Sequence, residues 1–280
     1  MPTATVDKDV DVRSLIGWVG GKKALARTII ALLPGHECYV EVFGGAGWVL
    51  FRKDPVKTEV YNDLDGRLVA LFRSVKYHAE EFCREVDFIL TSRQEFCDFL
   101  AQPGLTEIQR AARFYYIVRL SYGCKCVNLG AGPRGVNRLL MEKTFAHVDE
   151  VRARLERVVV ERLDFEELLA KYDTDQTAFY VDPPYVGSER EYRVRFAEDD
   201  HLRLRAALAQ VQGRWLLTYN DCEWVRDTYA DARRYEFNAP YSIAKGGRVP
   251  GHQLIITNYR LTKAQLRAAP KLVEPVRKGR

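Results

Sequence analysis

The chain is short of the features that define several protein classes. No apolar run approaches the roughly 18 residues needed to cross a bilayer. The opening stretch, MPTATVDKDVDVRS, is polar and acidic and holds no signal-peptide core. These absences set membrane and secreted classes aside, and a cytoplasmic protein is expected. Six cysteines in 280 residues are too few for a disulfide framework. Only Cys124 and Cys126 stand close, as C-K-C, and no second pair completes a zinc-ligand pattern. The five histidines are scattered and never form H-E-x-x-H, so no metal is expected. There is no internal repeat and no low-complexity tract.

What is present suits a folded enzyme-sized chain. A hydrophobic content of 47% can bury a sizeable core, and the length fits one large α/β domain or one domain carrying an insertion. The net charge of +5 is too mild to identify a nucleic-acid binder. Its distribution is more informative: between Ala101 and Arg157 there are ten Lys or Arg against five acidic residues. On charge alone that segment is either a solvated helical surface or a face for nucleic acid.

Hydrophobic periodicity divides the chain. KKALARTIIALLP reads as a helix stopped by Pro34. CYVEVF and TEVYND read as short buried strands, with GRLVALFRSV as the following helix, a spacing that implies a parallel sheet. After about Lys76, AEEFCREVDFIL, SRQEFCDFLAQ and TEIQRAARFYYIVRLSY are successive helices without strands between them. GCKCVNLGAGPRGVNR then reads as a loop or irregular hairpin. Strand–helix alternation returns with VVVERLDFEELLAKY, TAFYVDPPY, HLRLRAALAQVQ and RWLLTYND. RYEFNAPYSI and HQLIITNY are expected as antiparallel edge strands joined by a turn at GGRVPG. The chain therefore divides into 1–76, an inserted and mostly helical 77–156, and 157–280.

Three clusters carry chemistry. Gly44, Gly45 and Gly47 follow a strand, where glycines let the backbone approach a ligand closely. Leu50 stands where a dinucleotide fingerprint needs its third glycine, which disfavours a pyrophosphate. The stretch is either a ligand turn or a packing turn. Asp63 ends the next strand, where an acid can accept from ribose hydroxyls; alternatively Asp63 or Asp65 caps the helix that follows. The most specific stretch is FYVDPPY, Phe179 to Tyr185. Proline restricts the residue before it and fixes its own φ, so Asp182 and Pro183 are held rigidly at the strand's end. A carboxylate beside a carbonyl suits an exocyclic amino group, and Tyr185 adds a face for a planar base.

In these residues the sequence resembles the D12 class of N6-adenine DNA methyltransferases, the Dam-like group, from about Ile16 to Tyr259, with motifs in that group's order. The resemblance implies a Rossmann-like α/β fold and S-adenosyl-L-methionine as methyl donor. WVGGK resembles the N-terminal motif whose Trp18 and Lys22 approach the cofactor, with Gly17 where the family often has a basic residue. FGGAG (Phe43, Gly44, Gly45, Ala46, Gly47) is similar to the turn under the methionine part. Asp63 is then the ribose acid, and Asp164 and Phe165 the pair around the adenine ring. Asp182, Pro183, Pro184 and Tyr185 form the catalytic tetrapeptide, Asp182 also bordering the cofactor. The insertion stands where this group carries its target recognition domain. Arg119, Tyr122, Lys125, Arg134, Asn137 and Arg138 are candidates for contact with duplex DNA, and the short loop suggests a small footprint.

The resemblance further implies that Asp182 and the Pro183 carbonyl accept the two N–H bonds of an adenine amine flipped out of the duplex. VGSEREYRVRF, Val186 to Phe196, is either a flap over that nucleotide or an ordinary exposed loop. Two other classes stay in view: a methyltransferase for a different planar amine, and a binding module without catalysis. Related tetrapeptides for cytosine or glutamine usually begin with Ser or Asn, so Asp182 favours adenine.

Overall fold

The protein is described from a computed structural model covering residues 12–132, 135–136, 141–189, 192–240, 250–270 and 272–273. Eight of its strands form one sheet: β1 (Cys38–Glu41), β2 (Thr58–Asn62), β5 (Val158–Glu161), β6 (Thr177–Val181), β7 (Arg214–Asn220), β8 (Arg233–Pro240), β9 (Pro250–Thr257) and β10 (Leu272–Val273). The order across it is β10-β8-β9-β7-β6-β1-β2-β5. β5, β2, β1, β6 and β7 run parallel, while β9 runs antiparallel to both β7 and β8. The order turns back between β1 and β6, and open α/β sheets place ligands beyond the strand ends at such a point. The short pair β3 (Ala131–Gly132) and β4 (Gly135–Val136) stands apart from this sheet.

Eleven helices are present among the described residues: α1 (Ala26–Leu32), α2 (Trp48–Arg52), α3 (Gly66–Tyr77), α4 (Ala79–Asp87), α5 (Arg93–Ala101), α6 (Glu107–Leu120), α7 (Met141–Arg154), α8 (Phe165–Tyr172), α9 (Glu198–Gln210), α10 (Glu223–Thr228) and α11 (Lys263–Ala268). None is long and apolar enough to cross a membrane. The residues of β1 alternate between the two cores: Tyr39 belongs to one cluster with α1 to α4, α6 and α7, and Val40 to the other with α8 to α10. That is the period of two expected of a strand covered on both faces.

Two expectations change. β8 and β9 are not both edge strands, because β9 lies between β7 and β8, and β8 is covered in turn by β10. Leu254, Ile255, Ile256 and Thr257 are all buried, an unbroken run that marks an interior strand. The turn between them lies outside the described residues. α7 is a helix that periodicity had not isolated; Val148 and Val151 are its buried stripe, continued by Leu155 just beyond its end.

The helical segment shares its core with the sheet. Phe82 of α4, Ala111, Phe114 and Tyr115 of α6, and Val148 and Val151 of α7 join Leu68, Leu71 and Phe72 of α3 in a single apolar cluster. A buried ionic knot adds a second attachment. Glu59 of β2 accepts from Lys53 at 2.6 Å and from Arg154 at the end of α7 at 2.6 and 2.9 Å. Arg154 also donates to the Leu50 carbonyl. Removing one member of a buried ion cluster leaves uncompensated charge, at a cost of about 3–5 kcal/mol. Glu59→Ala is expected to lower unfolding stability by about that amount, read by urea denaturation. A loss within the scatter of ordinary surface substitutions would show that the knot is not what ties α7 down.

Candidate active site at the turn-back of the sheet

The carboxyl ends of β1, β2 and β6 open onto a cavity of about 920 Å³, its mouth included. Lining residues come from four stretches: Trp18 to Lys22, Glu41 to Val49, Asn62 to Asp65, and Tyr192 to Phe196, joined by Leu163, Phe165, Tyr180, Asp182 and Pro184. Of the expected cofactor residues, Trp18, Lys22, Phe43, Gly44, Gly45, Ala46, Gly47, Asp63, Phe165 and Asp182 all border it. Asp164 does not.

The glycine turn is held by packing and also lines the cavity. Gly45 and Gly47 have φ of 49° and 68°, the left-handed region that favours glycine. A Cβ on Gly44 would stand 2.2 Å from the Tyr61 ring, and the Tyr61 hydroxyl donates to the Gly45 carbonyl at 2.7 Å. The turn is pinned from behind by packing while its front faces the cavity. Gly17 is constrained differently: a Cβ there would meet the Cys124 sulfur at 2.6 Å. Any side chain at this position requires the Cys124 sulfur to move.

The two acids at the end of β2 divide their roles. Asp65 is the α3 cap, accepting from the Arg67 amide. Asp63 accepts from the Gly45 amide at 2.8 Å and from the Asp65 amide at 2.8 Å. Burial raises the Asp63 carboxyl to about 6, the two amides pulling the other way. It braces the glycine turn and keeps acceptor capacity toward the cavity.

At the end of β6, Asp182 is held from two sides. Thr218 of β7 donates to Oδ1 at 2.6 Å, and the Lys22 ammonium lies 2.6 Å from Oδ1 and 2.7 Å from Oδ2. Lys22 is 8% exposed and its ammonium sits 4.9 Å from the centroid of the Tyr185 ring. Tyr185 differs from the open stacking platform read from its sequence. It is buried, donates to Gln253 at 3.3 Å and packs against Tyr219. Neither Pro183 nor Tyr185 lines the cavity.

Phe43, Phe165 and Phe196 form a ring cluster with centroids 5.8 to 6.1 Å apart. Asp164 acts one step away from it. Its carboxylate caps α8 at the Glu166 amide and pairs with Arg203 of α9, placing Phe165 at the first position of the helix. The stretch after the tetrapeptide covers the cavity, contributing Tyr192, Arg193, Val194, Arg195 and Phe196. It is fastened through Glu189, which accepts from the Gly187 amide and meets Nε2 of buried His201, whose Nδ1 contacts the Tyr219 hydroxyl. Of the DNA-contact candidates, Arg119, Tyr122 and Lys125 lie exposed around the end of α6; Arg134, Asn137 and Arg138 lie outside the described residues. Cys124 and Cys126 are free, with φ of 57° and 55°, and no group of metal-binding side chains occurs among the described residues.

Sequence reasoning passed over Glu41. It sits in the strand before the glycines and is 2% exposed. Oε2 accepts from the Leu50 amide at 2.8 Å and the Tyr39 hydroxyl at 3.0 Å. Oε1 has no hydrogen-bond partner among the described residues and is not sealed in the core; it faces the cavity that Glu41 helps to line. Burial pushes this carboxyl up to about 8. Between its ordinary value of 4.5 and about 8, the folded protein holds a proton that the unfolded chain has shed. Stability therefore falls as pH rises through that interval, by at most about 1.4 kcal/mol per pH unit. Subtracting the denaturation profile of Glu41→Gln from that of the wild type is expected to isolate this decline. Parallel profiles would show that Glu41 is ionised in the free protein.

A family model described as D12 class N6 adenine-specific DNA methyltransferase matches residues 18–243. The DNA adenine methylase of Serratia marcescens is 25% identical over 271 residues, covering 87% of this chain and 97% of that protein. The DNA adenine methylase of Escherichia coli is 24% identical over 260 residues, covering 84% and 90% respectively. That of Salmonella typhi is 24% identical over 253 residues, with the same two shares. The match takes in the glycine turn, Asp63, the Asp182 tetrapeptide and the helical segment between them, and the chain belongs to the D12 class of N6 adenine-specific DNA methyltransferases.

Proposed function

We propose that the protein transfers a methyl group from S-adenosylmethionine to the N6 amino group of an adenine turned out of a DNA duplex. The observation that carries this is the placement of Asp182, oriented by Thr218 and Lys22 on the wall of the cavity that the glycine turn lines. The residues present fit that donor. A glycine turn gives the close backbone approach, Asp63 offers carboxylate oxygens to ribose hydroxyls, three phenylalanine rings suit a purine, and Glu41 turns an unpartnered oxygen inward. Bound there, S-adenosylmethionine supplies a methyl group carried on a positively charged sulfur.

The chain's own part is orientation and charge. An exocyclic amine is a poor nucleophile because its lone pair is delocalised into the ring. Asp182 and the Pro183 carbonyl accept its N–H bonds, drawing the nitrogen out of the ring's plane. As positive charge grows on that nitrogen, fixed acceptors stabilise it without reorganising, and once the new N–C bond has formed the nitrogen sheds one of its two protons by way of Asp182 to solvent. Lys22 has to yield for this to happen, since its ammonium occupies both Asp182 oxygens and covers the face of Tyr185. A base that reaches Asp182 exchanges one cation on this carboxylate for another donor, and uncovers Tyr185 for stacking. Extruding the base costs a few kcal/mol, which that stacking offsets in part.

The segment 77–156 is assigned to target recognition, flanked by the two methyltransferase halves 1–76 and 157–280. Arg119, Tyr122 and Lys125 give the described part of its DNA face, and Arg134, Asn137 and Arg138 belong to the same stretch of chain. Phosphate contacts position and base contacts specify.

Labelled donor incubated with duplex DNA, single-stranded DNA and RNA is expected to yield N6-methyladenine in the duplex. A cytosine product, or transfer to RNA alone, would overturn the assignment. Asp182→Ala is expected to cut transfer by a factor on the order of a thousand or more while donor binding weakens only modestly; full activity in that variant would refute the proposed role of Asp182. Arg119→Gln and Lys125→Gln are each expected to reduce the salt dependence of DNA binding by about one unit of slope. Unchanged slope and unchanged sequence preference would remove this corner from the DNA face.

A further inference from the structure

Of the four carboxyls at the cavity, Glu41 and Asp63 form no ion pair among the described residues, and Asp63 spends its oxygens on the Gly45 and Asp65 amides while Oε1 of Glu41 accepts from nothing there. Asp182 has Lys22, and Asp65 has Arg67; Glu41 forms no ion pair among the described residues and receives only an amide and a phenol hydroxyl. The groups facing it are Tyr39 on its own strand, Asp182 and Tyr180 on β6, Tyr61 on β2, and Lys53 beyond α2. Tyr39, Tyr61 and Tyr180 are all buried phenols held above their usual range by burial, so they bring no positive charge. Lys53 is committed to Glu59.

We propose that Glu41 is the group that answers the positive charge of the methyl donor, entering the free site as a neutral acid and giving up its proton as the cationic donor settles. This rests on the donor being S-adenosylmethionine. The physical reason is the surroundings. A buried carboxylate with no cation beside it is costly, and a cation brought alongside in the same low-dielectric space makes the ionised form favourable. Methyl transfer leaves the sulfur neutral, and Glu41 takes a proton back as the product state forms. The site's net charge then stays nearly constant through the cycle: one proton leaves when the cation arrives, and one returns when the charge is gone.

The prediction concerns binding, and so it is independent of turnover. Calorimetry of donor binding to the full chain at pH 7, in buffers of different ionisation enthalpy, is expected to show release approaching one proton per site. S-adenosylhomocysteine, whose sulfur is neutral, is expected to release fewer. Donor affinity is expected to rise close to tenfold per pH unit below about 8 and to level off above it. Asp63 adds its own inflection near 6, which leaves the interval above that value for Glu41. Glu41→Gln is expected to abolish the release and flatten the upper interval. Tyr39→Phe keeps the carboxyl but removes a donor to Oε2, so it is expected to move the upper inflection to higher pH, a shift that a merely structural Glu41 would not produce. Equal proton release in wild type and Glu41→Gln overturns the proposal while leaving the methyltransferase reading intact. Failure of both nucleosides to bind overturns the donor reading, and the proposal with it.

Discussion

The contact on which this site depends is the pair formed by Lys22 and Asp182, 160 residues apart in the chain. Lys22 belongs to the turn before α1, and Asp182 closes the strand on the far side of the sheet's turn-back. Their union at 2.6 and 2.7 Å brings the first and last motifs to one wall and holds the carboxylate against Thr218. A buried ammonium and a half-buried carboxylate this close stabilise each other. The parallel sheet makes the meeting possible, because β1, β2 and β6 all end on the same side.

Much of this was legible in the sequence, for reasons that can be stated. β1, β2, β6 and β7 are runs of apolar residues bounded by turn formers, and the helices after them repeat at helical spacing. The glycine turn and the tetrapeptide were legible because φ restrictions are local properties of Gly and Pro. What stayed hidden depends on distant partners. Whether Asp63 or Asp65 capped α3 could not be decided by two acids equally near a helix start; the Gly45 amide, 18 residues back, decides it. Tyr185 looked like an open platform until Tyr219, Gln253 and Lys22 enclosed it. Asp164 resembled a ligand contact, but Arg203 on another helix claims it. Glu41 left no local mark at all, since an acid in an apolar strand reads as noise unless the space in front of it is known.

The helical segment illustrates how composition misleads about independence. Its charge excess and lack of strands suggest a separate body. Yet α6 and α7 bury Phe114, Tyr115, Val148 and Val151 against α3, and Arg154 reaches through to Glu59 and the Leu50 carbonyl. Leu50 begins only three residues after the glycine turn. The same knot thus secures the end of α7 and the back of the cavity, so neither shifts without straining the other.

That anchoring has an evolutionary corollary. Arg119, Tyr122 and Lys125 are exposed around the end of α6, and none of the knot's three charges is among them. Exchange of those exposed side chains therefore takes little toll on the scaffold. Side chains mounted in this way can change within a lineage while the buried frame behind them is inherited unaltered.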